Sequence, residues 1–237
     1  MPRFARQTSE SKIYHLIWRG VNRQKIFSSP NDYMAFVAKL KKFAEICSVE
    51  IYAYCLMPNH IHLLVHDPTD SLSSFMQRLG TSYAQYYNRK MERTGHLFQS
   101  RFMSRNVENE SYFRTVYRYI LQNPEKAHMC KSENYPWSSW HTQLKNEIIN
   151  TNFIPQFFGS VEFMQTFIQA PNNDICDEAE IKTPLSDEHA LIILKKTLSI
   201  RSPKKLRTLT LKKLLPVIPK LKFQGISIRQ LQRILTF

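Results

Sequence analysis

Apolar side chains in the first 125 residues follow two periods. Residues 13–20 (IYHLIWRG), 50–57 (EIYAYCLM) and 60–66 (HIHLLVH) are short runs rich in β-branched and aromatic residues, which predicts strands. The turn between the last two is Met57-Pro58-Asn59. Residues 32–46 place Tyr33, Phe36, Val37, Leu40, Phe43 and Ala44 at helical spacing. Residues 71–91 carry a second helical stripe, from Leu72 and Phe75 to Tyr83 and Tyr87. A fourth strand is expected near 102–107, and a third helix over 109–122, stopped by Asn123-Pro124.

The predicted order is β-α-β-β-α-β-α. It specifies an α+β class: a ferredoxin-like βαββαβ antiparallel sheet with helices on one face. YPWSSW (135–140) reads as a packing segment that closes this domain. Residues 1–142 are therefore expected to form one domain, 143–186 an irregular linker, and 187–237 a C-terminal helical appendage. The appendage shows helical patterns around 188–199, 208–219 and 227–236, and it has no acidic residue after Glu188.

Charge changes the picture. The 237 residues include 33 Lys+Arg against 19 Asp+Glu, a formal net charge of +14. Such an excess points to an anionic partner, nucleic acid first and an anionic membrane surface second. Only five glycines are present, and no Gly-rich nucleotide-binding motif occurs. No run of 18 apolar residues suggests a membrane span, and MPRFARQTSESK lacks the apolar core of a signal peptide. Cys47, Cys55, Cys130 and Cys176 form no C-x-x-C pair, which fits reduced thiols in a cytoplasmic protein.

The chemistry concentrates on the third strand. His60 and His62 alternate, so both imidazoles leave one face with Cα atoms about 6–7 Å apart. His66 shares that face but lies about 13 Å from His62, too far for a common ion. Two histidines are too few for a closed zinc site, and no cysteine pair completes one. An open site with oxygen ligands and water suits Mg²⁺ or Mn²⁺ acting on phosphate. The competing reading is a strand with half-buried histidines.

The third helix offers further groups. Phe113, Val116, Tyr117, Ile120 and Leu121 form its apolar face, with Tyr117 near the centre as a core residue. Tyr119 lies roughly 130° from that centre, at the edge of the face or outside it. Asn123, four residues on, shares its side of the helix. If that side faces the H-x-H strand, Asn123 is a third ligand and Tyr119 a nucleophile beside the ion. A cation polarises a phosphate, and a phenol oxygen then displaces a deoxyribose 3′-oxygen to leave a covalent 5′-phosphotyrosine.

YCLMPNHIHLLV (54–65), GHLFQSRF (95–102), YRYILQNP (117–124) and YPWSSW (135–140) resemble the single-tyrosine HUH transposases of bacteria, most closely the REP-associated tyrosine transposases. NRQKIF (22–27) and SYAQYYNRK (82–90) resemble the same family, and the likeness spans about residues 10–142. The resemblance implies that His60 and His62 are the metal pair, Asn123 the helix-borne ligand and Tyr119 the nucleophile. It implies a Mg²⁺- or Mn²⁺-dependent transposase that binds single-stranded or hairpin DNA, then cleaves and rejoins it. It also implies a cytoplasmic, nucleoid-associated bacterial protein, acting as a monomer or homodimer. FQGISIRQLQRIL (223–235) resembles the first helix of a helix-turn-helix. The chain stops at Phe237, so a recognition helix is not expected.

Basic and amide side chains cluster around these motifs. Arg19, Asn22, Arg23, Arg89, Lys90, Gln99, Arg101 and Arg105 are the candidates for DNA contact. Trp18, Phe98 and Phe102 are interleaved with them; they could stack on unpaired bases, but core packing is the default for such rings. Two other functions stay open on the sequence: a catalytically silent ferredoxin-like protein that binds structured DNA or RNA, and a metal phosphodiesterase that uses water.

Overall fold

A computed structural model describes residues 8–140, 148–172 and 174, and isolated positions 194, 197, 198 and 217. The chain divides into two compact units, Met1–Cys176 and Asp177–Phe237. The helical patterns expected after residue 187 lie almost wholly outside the described residues.

The first unit is built on four antiparallel strands: β1 (Ile13–Arg19), β2 (Glu50–Met57), β3 (His60–His66) and β4 (Met103–Asn106). Their order across the sheet is β2-β3-β1-β4, the arrangement expected of a βαββαβ chain. Helices α1 (Pro30–Cys47) and α2 (Leu72–Lys90) supply the two crossovers. Asp32 accepts the Ser28 and Ser29 amides at the start of α1. Asp67 accepts the Ser71 and Leu72 amides at the start of α2. Both carboxylates satisfy amides that a helix cannot satisfy itself.

Strand alternation sends Tyr14, Leu16 and Trp18 to one face, and Ile13, His15, Ile17 and Arg19 to the other. Helix α2 covers the first face so closely that a Cβ at Gly80 would overlap the Trp18 ring. Trp18 is held there by stacking on Phe98 at 3.9 Å and by donating from Nε1 to the Ser100 carbonyl. The core default for Trp18 therefore describes its setting.

The opposite face is covered by α3 (Glu110–Leu121), which a short helix α4 (Asn123–Lys126) extends. Helices on one face thus describes α1 and α2, whereas α3 closes the second face. Tyr52 shows the same side. A register shift between Ile51 and Ala53 turns its ring toward Phe113, with centroids 5.9 Å apart.

Residues 153–157 and 161–169 are helices, α5 and α6, where an irregular linker was expected. Phe113 stacks on Phe157 at 3.8 Å, and Tyr117 packs between Phe153 and Phe158. These buried aromatics explain the difference. They are spaced too irregularly to announce a helix by period, and they become ordered by the apolar surface of α3 that they cover. YPWSSW pairs with the outer edge of β2: the Ser139 amide donates to the Tyr54 carbonyl, the Tyr54 amide donates to Ser139 Oγ, and Leu56 donates to the Trp137 carbonyl. That cover satisfies an otherwise exposed sheet edge.

Candidate active site

Helix α3 brings Tyr119 down onto the face that carries the histidines. The rings of His60 and His62 converge with centroids 4.9 Å apart. The Tyr119 ring stands edge-on to His62 at 5.9 Å and to His15 at 6.1 Å. Tyr119 is buried, at 8% exposure, not at the edge of a single apolar face. The reason is that α3 is covered twice, by the sheet on one side and by α5 and α6 on the other. Tyr117 takes the second environment, and burial raises its phenol well above the ordinary range.

The imidazole nitrogens have defined surroundings. His60 Nδ1 lies 2.6 Å from Asn59 Oδ1, so this nitrogen donates and Nε2 keeps its lone pair. His62 Nδ1 lies 3.2 Å from His15 Nε2. The other nitrogen, His62 Nε2, is buried, and among the described residues no hydrogen-bond partner meets it. Burial, then His60, His15 and Arg19, hold the His62 imidazole well below the usual histidine range. Burial and Arg105 push His15 down to about 3. Both rings are neutral near pH 7, the state a metal ligand requires.

These features fit a divalent cation on His60 and His62. Among the described residues no group of three or more His, Cys, Asp or Glu is placed to hold a metal. Carboxamide, phosphate or water oxygens would complete such a site. Asn123 is buried one helical turn after Tyr119 and donates from Nδ2 to the Tyr119 and Ile120 carbonyls. The nitrogen is committed to the helix, and Oδ1 is its remaining polar side-chain atom. His66 bonds Glu50 and stacks on Tyr52, apart from this group.

The basic candidates divide between locations. Arg19 pairs with His60 across the β1–β3 ladder, and Arg105 pairs with His15 across β1–β4. Both therefore flank the histidine face. Asn22 and Arg23 sit in the loop after β1 with positive φ of 51° and 57°. Gln99 and Arg101 line a cleft of about 760 Å³ beside Trp18 and α2, on the other face. Arg89 is exposed on α2. Lys90 is exposed on the last turn of α2, and its ammonium donates to Asp32 at 2.6 Å and to Ser29 at 2.8 Å, a cation beside a buried carboxylate.

Two residues near Tyr119 escaped the sequence reading. His15 sits in an ordinary strand pattern, and its contact with His62 depends on a β1–β3 register that no local signal reveals. The Lys126 ammonium lies 4.6 Å from the centroid of the Tyr119 ring. It follows Asn123-Pro124, where a helix stop was expected and α4 instead continues the turn.

This constellation is that of a strand-borne histidine pair faced by a helix-borne tyrosine. Residues 8–123 match the family model described as Transposase IS200 like. Among curated proteins, the chain is 28% identical over 130 residues to a Haemophilus influenzae protein named by inference as a REP-associated tyrosine transposase. The match covers 49% of this chain and 74% of that protein. Among solved structures, a REP-associated tyrosine transposase bound to a REP hairpin shares the fold. Its TM-score is 0.52 at 17% identity, covering 64% of this chain and 90% of that one. A Deinococcus radiodurans protein named by inference as a transposase matches with a TM-score of 0.36 at 20% identity, covering 54% of this chain and all of that one.

Proposed function

We propose that this protein is a transposase that cleaves and rejoins single-stranded or hairpin DNA through a covalent bond to Tyr119. The observation that carries the reading is the convergence of Tyr119, His60 and His62 on one face of the sheet, with rings 4.9–5.9 Å apart. A REP hairpin bound to a protein of the same fold supports hairpin DNA as the substrate class.

His60 and His62 would hold Mg²⁺ or Mn²⁺ through Nε2, with Asn123 Oδ1 as the oxygen ligand from the helix. The cation supplies Lewis-acid polarisation of the scissile phosphate and offsets charge on its oxygens. Arg19 and Arg105 steer the strand onto this face and hold neighbouring phosphates. The Tyr119 oxygen bonds to phosphorus as the P–O3′ bond breaks. The phenol loses its proton and the departing 3′-oxygen gains one, so a 5′-phosphotyrosine and a free 3′-hydroxyl result. A different 3′-hydroxyl can attack the phosphotyrosine and regenerate the phenol, which joins new ends. One phosphodiester is exchanged for another, so no nucleotide hydrolysis is needed.

The test is incubation with labelled hairpin DNA carrying single-stranded flanks and Mn²⁺, followed by a denaturing gel. A protein–DNA adduct that Tyr119→Phe abolishes supports the reading. Free cleaved product without adduct identifies a water-using phosphodiesterase instead. Retarded but uncut DNA identifies a binding protein.

A further inference from the structure

His15 is a third imidazole in this cluster, and none of the roles above uses it. It stands two residues before Ile17, the cross-strand partner of His62, so it shares the His62 face. It is 1% exposed. Its Nε2 is 3.2 Å from His62 Nδ1, the two rings are stacked 25° from parallel, and the Tyr119 ring stands edge-on to both.

A hydrogen bond between two neutral imidazoles carries one proton, and its direction decides what His62 can do. If His15 Nε2–H donates, His62 accepts at Nδ1 and bears its own proton on Nε2. That nitrogen then has no lone pair for a cation. If His62 Nδ1–H donates, Nε2 of His62 presents a lone pair in the ring plane. The second arrangement is the one that Asn59 Oδ1 imposes on His60, since an amide oxygen only accepts. Both strand histidines then offer Nε2.

We propose that His15 is a positioning residue: its Nε2 accepts the Nδ1 proton of His62, which fixes His62 in the tautomer able to bind a divalent cation through Nε2. The proposal rests on the reading of His60 and His62 as the cation-binding pair. Partners of this kind orient metal-binding histidines in other proteins, and their loss weakens metal affinity about 10–100-fold.

Two measurements on the full chain, without DNA, test it. The first is a long-range ¹H–¹⁵N correlation spectrum of the metal-free protein with labelled histidine. His62 is expected as the Nδ1–H tautomer; an Nε2–H tautomer overturns the proposal. The second is Mn²⁺ affinity, read from the resonance signal of free Mn²⁺. His15→Leu, which cannot accept the proton, is expected to lower affinity about 10–100-fold. His15→Gln offers an acceptor oxygen and is expected to retain the His62 tautomer and most of the affinity. A folded His15→Leu protein that binds Mn²⁺ within twofold of the parent overturns the proposal. So does a folded His15→Gln protein that loses the tautomer. If His15→Leu fails to fold, His15→Gln and the parent spectrum still decide the matter. If the parent binds Mn²⁺ no better than His62→Ala, the cation site itself fails. The parent spectrum then judges the His15 hydrogen bond separately.

Discussion

The phenol ring of Tyr119 stands edge-on to the imidazole of His62, 76° from parallel, and it reaches that position from α3, the helix that covers the histidine face of the sheet. Helix α3 is held by aromatic contacts on its outer side, with Phe113 on Phe157 and Tyr117 on Phe153 and Phe158. Those contacts do not involve the Tyr119 hydroxyl. Tyr119→Phe keeps the ring and its packing, so thermal stability is expected to change by no more than about 1 kcal/mol. Hairpin-DNA binding is expected to persist while adduct formation falls below detection. Loss of both binding and cleavage would assign Tyr119 a structural role.

Arg19 and Arg105 bracket the histidines from β1 and β4. Neither belongs to the paired set that fastens α1 to α2. Replacing either by Gln is expected to weaken DNA binding and to reduce the salt dependence of log K by about one charge. Arg105 has a second effect, because its charge lies beside His15 and its Nε meets no hydrogen-bond partner among the described residues. Arg105→Gln is therefore expected to cost little stability. Binding isotherms between low and moderate salt check the slope, and an unchanged slope would remove Arg105 from the DNA path.

The sheet and the histidine pair were legible because strand alternation and a two-residue turn at Pro58-Asn59 are local signals. The position of Tyr119 was only half legible. The 3.6-residue period showed that Tyr119 and Tyr117 face different ways, but it could not reveal that both directions are buried. That requires knowing that α5 and α6 fold back over α3, and their sequence has no strong period. His15 was illegible for a related reason: its neighbour His62 is 47 residues away and is defined by register. The Lys90–Asp32 pair was equally illegible, because a basic helix end looks the same in sequence whether or not its cation meets a buried carboxylate.

Asp32 is buried and accepts from Ser28, Ser29, Tyr86 and Lys90, so one carboxylate ties α1 to α2. Desolvation opposes its charge, but the bonds from Lys90, Ser28, Tyr86 and Ser29 outweigh it and hold the carboxyl below its ordinary range. A group with a depressed folded value stabilises above its unfolded value, near 4, and loses that contribution as pH falls through the folded one. Stability is therefore expected to drop on acidification below about pH 4. Asp32→Asn should cost roughly 2–4 kcal/mol at pH 7 and flatten that dependence, because Lys90 loses its counter-charge. Urea midpoints between acid and neutral pH check both, and equal pH slopes in the two proteins would contradict the assignment.

Gly80 lies at the closest approach of α2 to the sheet, where an added Cβ would overlap the Trp18 ring. Trp18 cannot easily move away: it stacks on Phe98, meets Phe102 edge-on and donates to Ser100. Alanine has the better helix propensity by about 1 kcal/mol, so an open site would make Gly80→Ala stabilising. Overpacking against a fixed indole works the other way, at about 1–3 kcal/mol or more. The clash is expected to win, giving net destabilisation measurable by denaturant midpoint. It should also perturb Trp18 fluorescence. The double variant Gly80→Ala with Trp18→Phe removes part of the ring and should recover stability relative to Trp18→Phe alone. If Gly80→Ala instead raises the midpoint, α2 has room to shift, and the cleft that holds Gln99 and Arg101 is not fixed by this contact.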